Sequence, residues 1–579
     1  MNPKNFFLRP RSTGQHHYEA LRAFYVEGLH ADEAAERFGL SPAYFKKLRF
    51  EFCRDLKAGT VRFFRIPKKG PKKRRTDEGV LAHIIALRKK NHSIQDIRAM
   101  LDSQGQSVSL DTIDKILKAE GFAPLPRRTR QERIATAIPA KIQAPPCAPL
   151  EYRDEEFFTE RGAGPLVFLP LIEQLGIVPA VRAAGFAHTS VLSDIASVFS
   201  FLALKLLGNE RWSHDAAYNL DRGLGLFAGL NVLPKNGTLS SYSSRIQRAS
   251  NKELLLGLSR CFRDPEAEEG EFNLDFKAIP HWGDASVLEN NWSGARSRGI
   301  KSLLALLVQD PATGFLSYSD AEIRHRNQSE AVFEFVDFWK QGRGVQPKML
   351  IFDARFTTYA HLSQLNEGDE PIKFLTLRRR GKKLMEQVEK IPEGQWQTVT
   401  VEGEKGKPRQ IRVNDSACVL RNYDGWVWQL ILTDHGHKRP AFLITNDFDM
   451  DVRHLIRKYA RRWLVEHEIA EQVAFFHLNQ PSSSIVVKLD CDLTISLLAH
   501  NLFRVLTRQL PGFERCTVPT ISRDFLENGA RIQIENRHIT VHLKKKTHLP
   551  ILFELPWMTK ETHLSWMGVS IGFVPATFS

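Results

Sequence analysis

Hydrophobic positions follow a helical period through roughly the first half of the chain and change texture near Phe272. Between His17 and Leu56, Tyr18, Leu21, Phe24 and Tyr25 form one apolar stripe at three-to-four spacing. Within that stretch, Asp32-Glu-Ala-Ala-Glu-Arg-Phe-Gly39-Leu-Ser-Pro-Ala-Tyr-Phe-Lys-Lys-Leu predicts two helices, with Gly39 in the tight turn and Ser41-Pro42 opening the second. Asp77 to Gly121 repeats this three-helix logic. A first helix runs through Lys90, Ser93-Ile-Gln-Asp96 makes a capping-box-like start, and Ser109 to Lys118 forms the last helix. Tyr152 to Arg263 keeps the helical period, as in Val191 to Lys205, and carries no catalytic cluster, which predicts a helical packing domain.

From Phe272 the pattern becomes strand-like. Phe272 to Asp284, Lys301 to Gly314 and Phe315 to Asp320 predict a three-strand meander, with Asp310-Pro-Ala-Thr-Gly314 as a turn. An amphipathic helix follows over Ser329 to Lys340, then a short buried strand over Lys348 to Asp353 and a helix over Tyr359 to Leu365. Gln397 to Val401, Gln410 to Val413, Ala417 to Arg421 and Gly425 to Leu432 alternate like strands, and Ala441 to Asn446 adds another. Leu489 to Leu510 reads as a packing helix, and Arg531 to Leu543 as a hairpin running into Lys544, Lys545 and Lys546.

At 579 residues the chain exceeds what one core can support, so several domains are expected. Hydrophobic content of 42% and charged content of 25% permit well-buried cores. The net charge of +15 and pI near 9.4 favour a phosphate-rich partner. Lys46, Lys47 and Arg49 on the helix after Gly39, and Lys115 on the helix after Ser109, are candidate DNA contacts of two helix-turn-helix modules. Lys72, Lys73, Arg74 and Arg75, in a Pro/Gly-broken basic run, suit backbone tracking. Six scattered cysteines without a C-x-x-C pair argue against a zinc ribbon or disulfide framework. No signal-like start and no long uninterrupted apolar stretch is seen, so a cytoplasmic protein without membrane association is expected.

Three carboxylates stand in matching contexts: Asp284 in His-Trp-Gly-Asp-Ala-Ser, Asp353 in Met-Leu-Ile-Phe-Asp-Ala-Arg, and Glu466 in Tyr459-Ala-Arg-Arg462-Trp-Leu-Val-Glu466. On a continuous helix Tyr459, Arg462 and Glu466 fall within about 60° of one another, whereas Glu468 and Glu471 point elsewhere. Taken singly, each has an ordinary explanation: a turn residue, a helix cap and a solvated partner of Arg462. The order of three strands, helix, strand and helix is that of an RNase H-like core. With the Tyr-x2-Arg-x3-Glu helix, the chain resembles the DDE insertion-sequence transposases that carry this motif and a strand-rich insertion before it. That family places Lys seven residues after its Glu; here the position is Val473, which puts a phosphate contact there in doubt.

The reading is a multidomain α/β chain: a helix-turn-helix module over residues 1–60, a basic linker at 61–76, a second module at 77–130 and a linker at 131–150. A helical domain spans 151–270, and an RNase H-like catalytic core with a β-rich insertion at about 390–440 spans 271–510. The segment 511–579 carries the hairpin. The resemblance implies Asp284, Asp353 and Glu466 as catalytic residues holding Mg²⁺ or Mn²⁺ for DNA cleavage and strand transfer. Tyr459 and Arg462 would brace phosphates, and Trp426 or Trp428 would stack an unpaired base unless they serve a small core. Its implied partners are double-stranded DNA, as element ends and target, and a second copy in a synaptic complex. A DNA-binding regulator without catalysis and a structure-specific nuclease are the competing readings.

Overall fold

The computed structural model describes the chain apart from residues 1–12, 60–77, 104–105, 126–146, 190–191, 210–217, 219, 265–269, 281–287, 294–297, 369, 403–407, 437, 481–484 and 577–579. It divides into two compact units, Met1–Asp77 and Glu78–Ser579.

In the first unit, α1 (Thr13–Tyr25), α2 (Ala31–Arg37) and α3 (Pro42–Lys57) close on Ala20, Leu21, Ala34, Ala35, Phe45 and Leu48. The turn into α3 follows local chemistry. Gly39 takes φ +61°, Ser41 Oγ accepts the Tyr44 N–H at 3.2 Å, and Pro42 sits where a helix has no N–H to satisfy.

The second unit opens with α4 (Glu78–Lys89), α5 (Ile94–Ser103) and α6 (Leu110–Ala119) around Ile84, Ile97, Leu101 and Ile113. Ser93 and Asp96 form the reciprocal capping box, with the Ser93 N–H donating to Asp96 at 2.9 Å and the Asp96 N–H to Ser93 Oγ at 3.1 Å. These helices are not freestanding. Lys89 Nζ donates to the Ile246 carbonyl at 2.5 Å, and buried Glu120 pairs with Arg248 at 2.8 Å. Strand β1 (Glu155–Thr159) waits for a partner from the far end of the chain, while α7 (Asp194–Leu206) and α8 (Arg248–Cys261) enter the largest apolar core.

The main sheet is built from β2 (Glu271–Pro280), β3 (Glu289–Ser293), β4 (Arg298–Gln309) and β5 (Leu316–Ile323). It continues through α9 (Ala331–Arg343), β6 (Met349–Phe352), α10 (Tyr359–Leu365) and β7 (Lys373–Leu377). Then come β8 (Gln397–Glu402), β9 (Pro408–Cys418), β10 (Val427–Thr433) and β11 (Ala441–Thr445). The order is β3-β4-β2-β6-β7-β11-β10-β9-β8, with β5 also on β4. β2, β6 and β7 run parallel; β4 is antiparallel to β2. The last eight residues of β4, from Ser302, are buried on both faces, as a central strand requires.

The structure adds two strands and merges two expected ones. β3 and β7 were not foreseen, because five-residue runs between charges do not separate strand from loop by periodicity. The segments Gln410 to Val413 and Ala417 to Arg421 belong largely to one strand, β9, ending at Cys418. The strand-rich insertion extends the main sheet, since β11 pairs with β7 and carries β10, β9 and β8 outward as one continuous sheet.

Two helices then cross this sheet, α11 (Val452–Arg461) and α12 (Trp463–Ala474), followed by α13 (Val486–Gln509), which is buried along most of its length. The C-terminal strands β12 (Ala530–Glu535) and β13 (His538–Leu543) form the expected hairpin. With β14 (Thr562–Leu564) and β15 (Val569–Pro575) they make a second sheet in which β12 pairs with β1, joining residues near 155 to the chain end. No single helix among the described residues is long and apolar enough to cross a membrane.

Candidate active site

Strand β2 carries two unlike faces. Its even positions are aromatic or apolar: Phe272 packs edge-on to Phe335 and Trp339 of α9, and Phe276 stacks on Phe356 at 3.8 Å and 8°. Its odd positions are polar from Glu271 to Lys277, where a buried central strand would ordinarily be apolar, and four of the five odd positions meet the helices above. Glu271 pairs with Lys458 of α11, and Asn273 Nδ2 donates to the Arg461 carbonyl at 3.4 Å. Asp275 lies 3.8 Å from Arg462, and Ile279 packs with Val465 and Ile469 of α12.

That ladder accounts for a departure from the sequence expectation. Tyr459, Arg462 and Glu466 do not ride on one unbroken helix: α11 ends at Arg461 and α12 begins at Trp463. The Arg462 N–H donates to Tyr459 and the Val465 N–H to Arg462, both at 3.1 Å, which is a tightened turn. On either side of the break the helices use different floors. Leu455 and Ile456 of α11 pack on a cluster drawn from β6, β7 and β8 to β11, while Val465 and Ile469 pack on Ile279, Leu303, Ala305 and Leu307. A straight helix cannot follow a twisting sheet over that width, so the break falls between the two floors. Asn273 takes up one carbonyl near the break.

Arg462 therefore stands over β2 and β6. The pairing of Asn273 with Ile351, continued two residues, brings Asp275 level with Asp353 at the end of β6. Arg462 Nη2 donates to Glu466 at 2.9 Å, and the guanidinium lies 5.6 Å from the Tyr459 ring centroid. Burial pushes the Asp275 carboxyl up to about 6; Arg462 opposes this, and Glu466 and Asp353 reinforce it. Burial works against the charge on Arg462, yet Tyr459, Asp275, Glu466 and Asp353 together raise its pKa above the ordinary value. Burial also holds the Tyr459 phenol well above its usual range, so it stays neutral.

Asp353 and Glu466 are thus brought together around Arg462, and the carboxylate that joins them is Asp275; Asp284 lies outside the described residues. Asp275 was missed because Phe272 to Asp284 was read as one strand ending in the acid. The available signal was the run Asn273, Asp275, Lys277 at alternate positions of a strand with apolar neighbours. Glu471 points elsewhere, 3.8 Å from His500 and 3.7 Å from Arg504. Val473 packs beside the Ile279 cluster.

A second missed feature is the run Arg378-Arg379-Arg380-Gly381-Lys382-Lys383 directly after β7. Arg379 Nε donates to the Ala354 carbonyl at 3.4 Å, next to Asp353, and Arg379, Arg380, Lys382 and Lys383 are exposed. Arg378 is committed inward, donating to Gln429 at 2.5 Å.

Of the other expected contacts, Lys46 and Lys47 are exposed on α3, Lys47 being 3.9 Å from Glu51. The Arg49 guanidinium lies over the Phe24 ring at 3.7 Å, so this arginine ties α3 to α1. Lys115 is exposed on α6 and pairs with Asp111 at 2.6 Å. Lys72, Lys73, Arg74 and Arg75 lie outside the described residues. Trp428 donates to Asp415 at 3.2 Å and stacks with Phe448, whereas Trp426 is 61% exposed.

As a donor set, three carboxylates supply the hard oxygen ligands that Mg²⁺ or Mn²⁺ prefers. In arrangement, no three acidic, histidine or cysteine side chains among the described residues are grouped as a metal site. The Arg462 guanidinium holds the counter-charge position, and Glu466, 48% exposed, has room to exchange that partner.

No family model matches the chain, and no curated protein matches it. Among solved structures, a cryo-EM structure of a piggyBac transposase synaptic complex with hairpin DNA aligns with 60% of this chain and 78% of that one, at 10% identity and a TM-score of 0.33. That is a remote likeness.

Proposed function

We propose that this protein is a DDE transposase, cleaving and joining DNA at the ends of an insertion sequence. Asp275, Asp353 and Glu466 would form its acidic set, with Asp275 in the place first expected of Asp284. The observation that carries the reading is the parallel register of β2 with β6, which, continued two residues, sets Asp275 level with Asp353 just past β6, with Glu466 reaching Arg462 from the broken helix above. The strand order β5-β4-β2-β6-β7 supports an RNase H-like core, whose acids lie at this position in the sheet. Fold alone would not argue the chemistry; the residues do.

Mg²⁺ or Mn²⁺ held by Asp275, Asp353 and Glu466 would supply Lewis-acid activation of a water or a DNA 3′-hydroxyl. The chain's own groups bind and orient. Arg462, once released from Glu466, has a guanidinium suited to the phosphodiester, and neutral Tyr459 buttresses it. Exposed Arg379, bonded to the Ala354 carbonyl next to Asp353, and the exposed cations Arg380, Lys382 and Lys383 that follow it in sequence would fit the phosphates flanking the cut. The helical units around α3 and α6, with Lys46, Lys47 and Lys115 exposed, would recognise the ends, and two copies would pair them. A cytoplasmic location is consistent with such a role.

With Mg²⁺, the protein is expected to nick a supercoiled plasmid carrying its gene and native flanks, and Asp353→Asn is expected to abolish nicking while leaving DNA binding unchanged. Undiminished nicking by Asp353→Asn would refute the assignment.

A further inference from the structure

On the odd face of β2 every described position but one has a partner above it. Glu271 is held by Lys458, Asn273 by the Arg461 carbonyl, Asp275 by Arg462, and Ile279 by Val465 and Ile469. The exception is Lys277, between Asp275 and Ile279. It is half-buried, and its ammonium makes no hydrogen bond or ion pair with any described residue. A partly desolvated cation with no hydrogen bond, its charge answered only through space by Asp275, adds little to stability. Two residues along a strand is roughly 7 Å, so Lys277 stands just past Asp275 on the face where the carboxylates gather.

We infer that Lys277 binds the scissile phosphodiester, its ammonium contacting a non-bridging oxygen as the strand-borne counterpart of Arg462. The inference rests on the reading of Asp275, Asp353 and Glu466 as a DNA-cleaving set. An acidic cluster repels the phosphate it must attack, and each cation fixed at its edge offsets that repulsion. Arg462 is already engaged by two carboxylates. Lys277 feels only the through-space attraction of Asp275 and has no hydrogen bond to break before it receives an anion. A flexible point charge also follows phosphate as its geometry changes during in-line displacement.

The test uses full-length protein, Lys277→Met and Lys277→Arg. Binding of a fluorescein-labelled duplex from the flanks of the gene is measured by anisotropy across NaCl concentrations with Ca²⁺ present, and plasmid nicking with Mg²⁺. For Lys277→Met the log–log salt slope is expected to fall by about one. Its kcat is expected to drop by about 50-fold or more with KM within about threefold, since the contact strengthens as charge builds on the phosphate. Lys277→Arg keeps the slope and recovers part of the rate. An unchanged salt slope in Lys277→Met overturns the inference, whatever the plasmid does. Lys277→Gln replaces the Met variant should the latter unfold. The underlying reading is judged separately by Asp353→Asn: if that variant nicks, cleavage by this set is lost as an explanation, while the slope still decides whether Lys277 meets phosphate.

Discussion

Asp275→Asn is expected to stabilise the protein while inactivating it. Burial, with Glu466 and Asp353 nearby and Arg462 opposing, raises the Asp275 carboxyl from 3.8 to about 6, with its side chain 22% exposed. The folded chain thus keeps the proton to higher pH than the unfolded chain does. Stability present below pH 3.8 is lost as pH rises to about 6, and above that window the deficit is constant at ~3 kcal/mol. Asparagine carries no charge and keeps an oxygen for the Phe276 N–H, which Asp275 accepts at 2.9 Å. In EDTA at pH 8 the variant should gain about 1–3 kcal/mol, and the gain should shrink by roughly 1 kcal/mol at pH 5. Saturating Mg²⁺ should remove most or all of that gain, since binding at a hundred times Kd adds about 2.7 kcal/mol to the protein that can bind. Urea unfolding followed by tryptophan fluorescence at pH 5 and 8, with EDTA or Mg²⁺, measures all three. A variant no more stable than the parent at pH 8, or a gain equal at both pH values, would refute the electrostatic account of this site.

Arg462→Ala leaves three carboxylates facing one another and should cost ~3 kcal/mol in EDTA at pH 8; adding Asp275→Asn to the same chain should restore part of it, and additive losses in a double-mutant cycle would argue against their coupling. Asn273→Leu removes the donor to the Arg461 carbonyl and to Gln309, and should lower stability by about 1–3 kcal/mol in the same urea assay. Buried Asp490 is raised from 3.8 to about 7 by burial and then by Asp320, against Arg248, so stability should decline as pH rises from 3.8 to about 7 and level off above it, and Asp490→Asn should flatten that decline. Removing Met1–Asp77 should leave the melting of Glu78–Ser579 unchanged while weakening footprints on end DNA; a lower melting temperature would show that the second unit depends on the first.

Much of the local structure was legible because its causes are local. Ser41-Pro42 after Gly39 and the Ser93–Asp96 box act within a few residues, and the helices begin where those residues place them. Alternation marked β2, β5, β10 and the C-terminal hairpin, and an unbroken apolar run marked β4. Asp353 and Glu466 stood out because each closes or rides a recognisable element. β7 did not, since five residues carry too few periods to declare themselves.

What the sequence by itself determined is which side chains are available and on which face of each element they lie: Asn273, Asp275, Lys277 and Ile279 share a strand face by alternation alone. Only the tertiary structure decided which of the described acids lie near one another. The choice of Asp275 depends on the parallel register of β2 with β6, and the placement of Glu466 on a helix broken at Arg462 where two floors of a twisted sheet divide. Both are long-range packing outcomes, set by the burial of distant apolar clusters, and no window of neighbouring residues contains them.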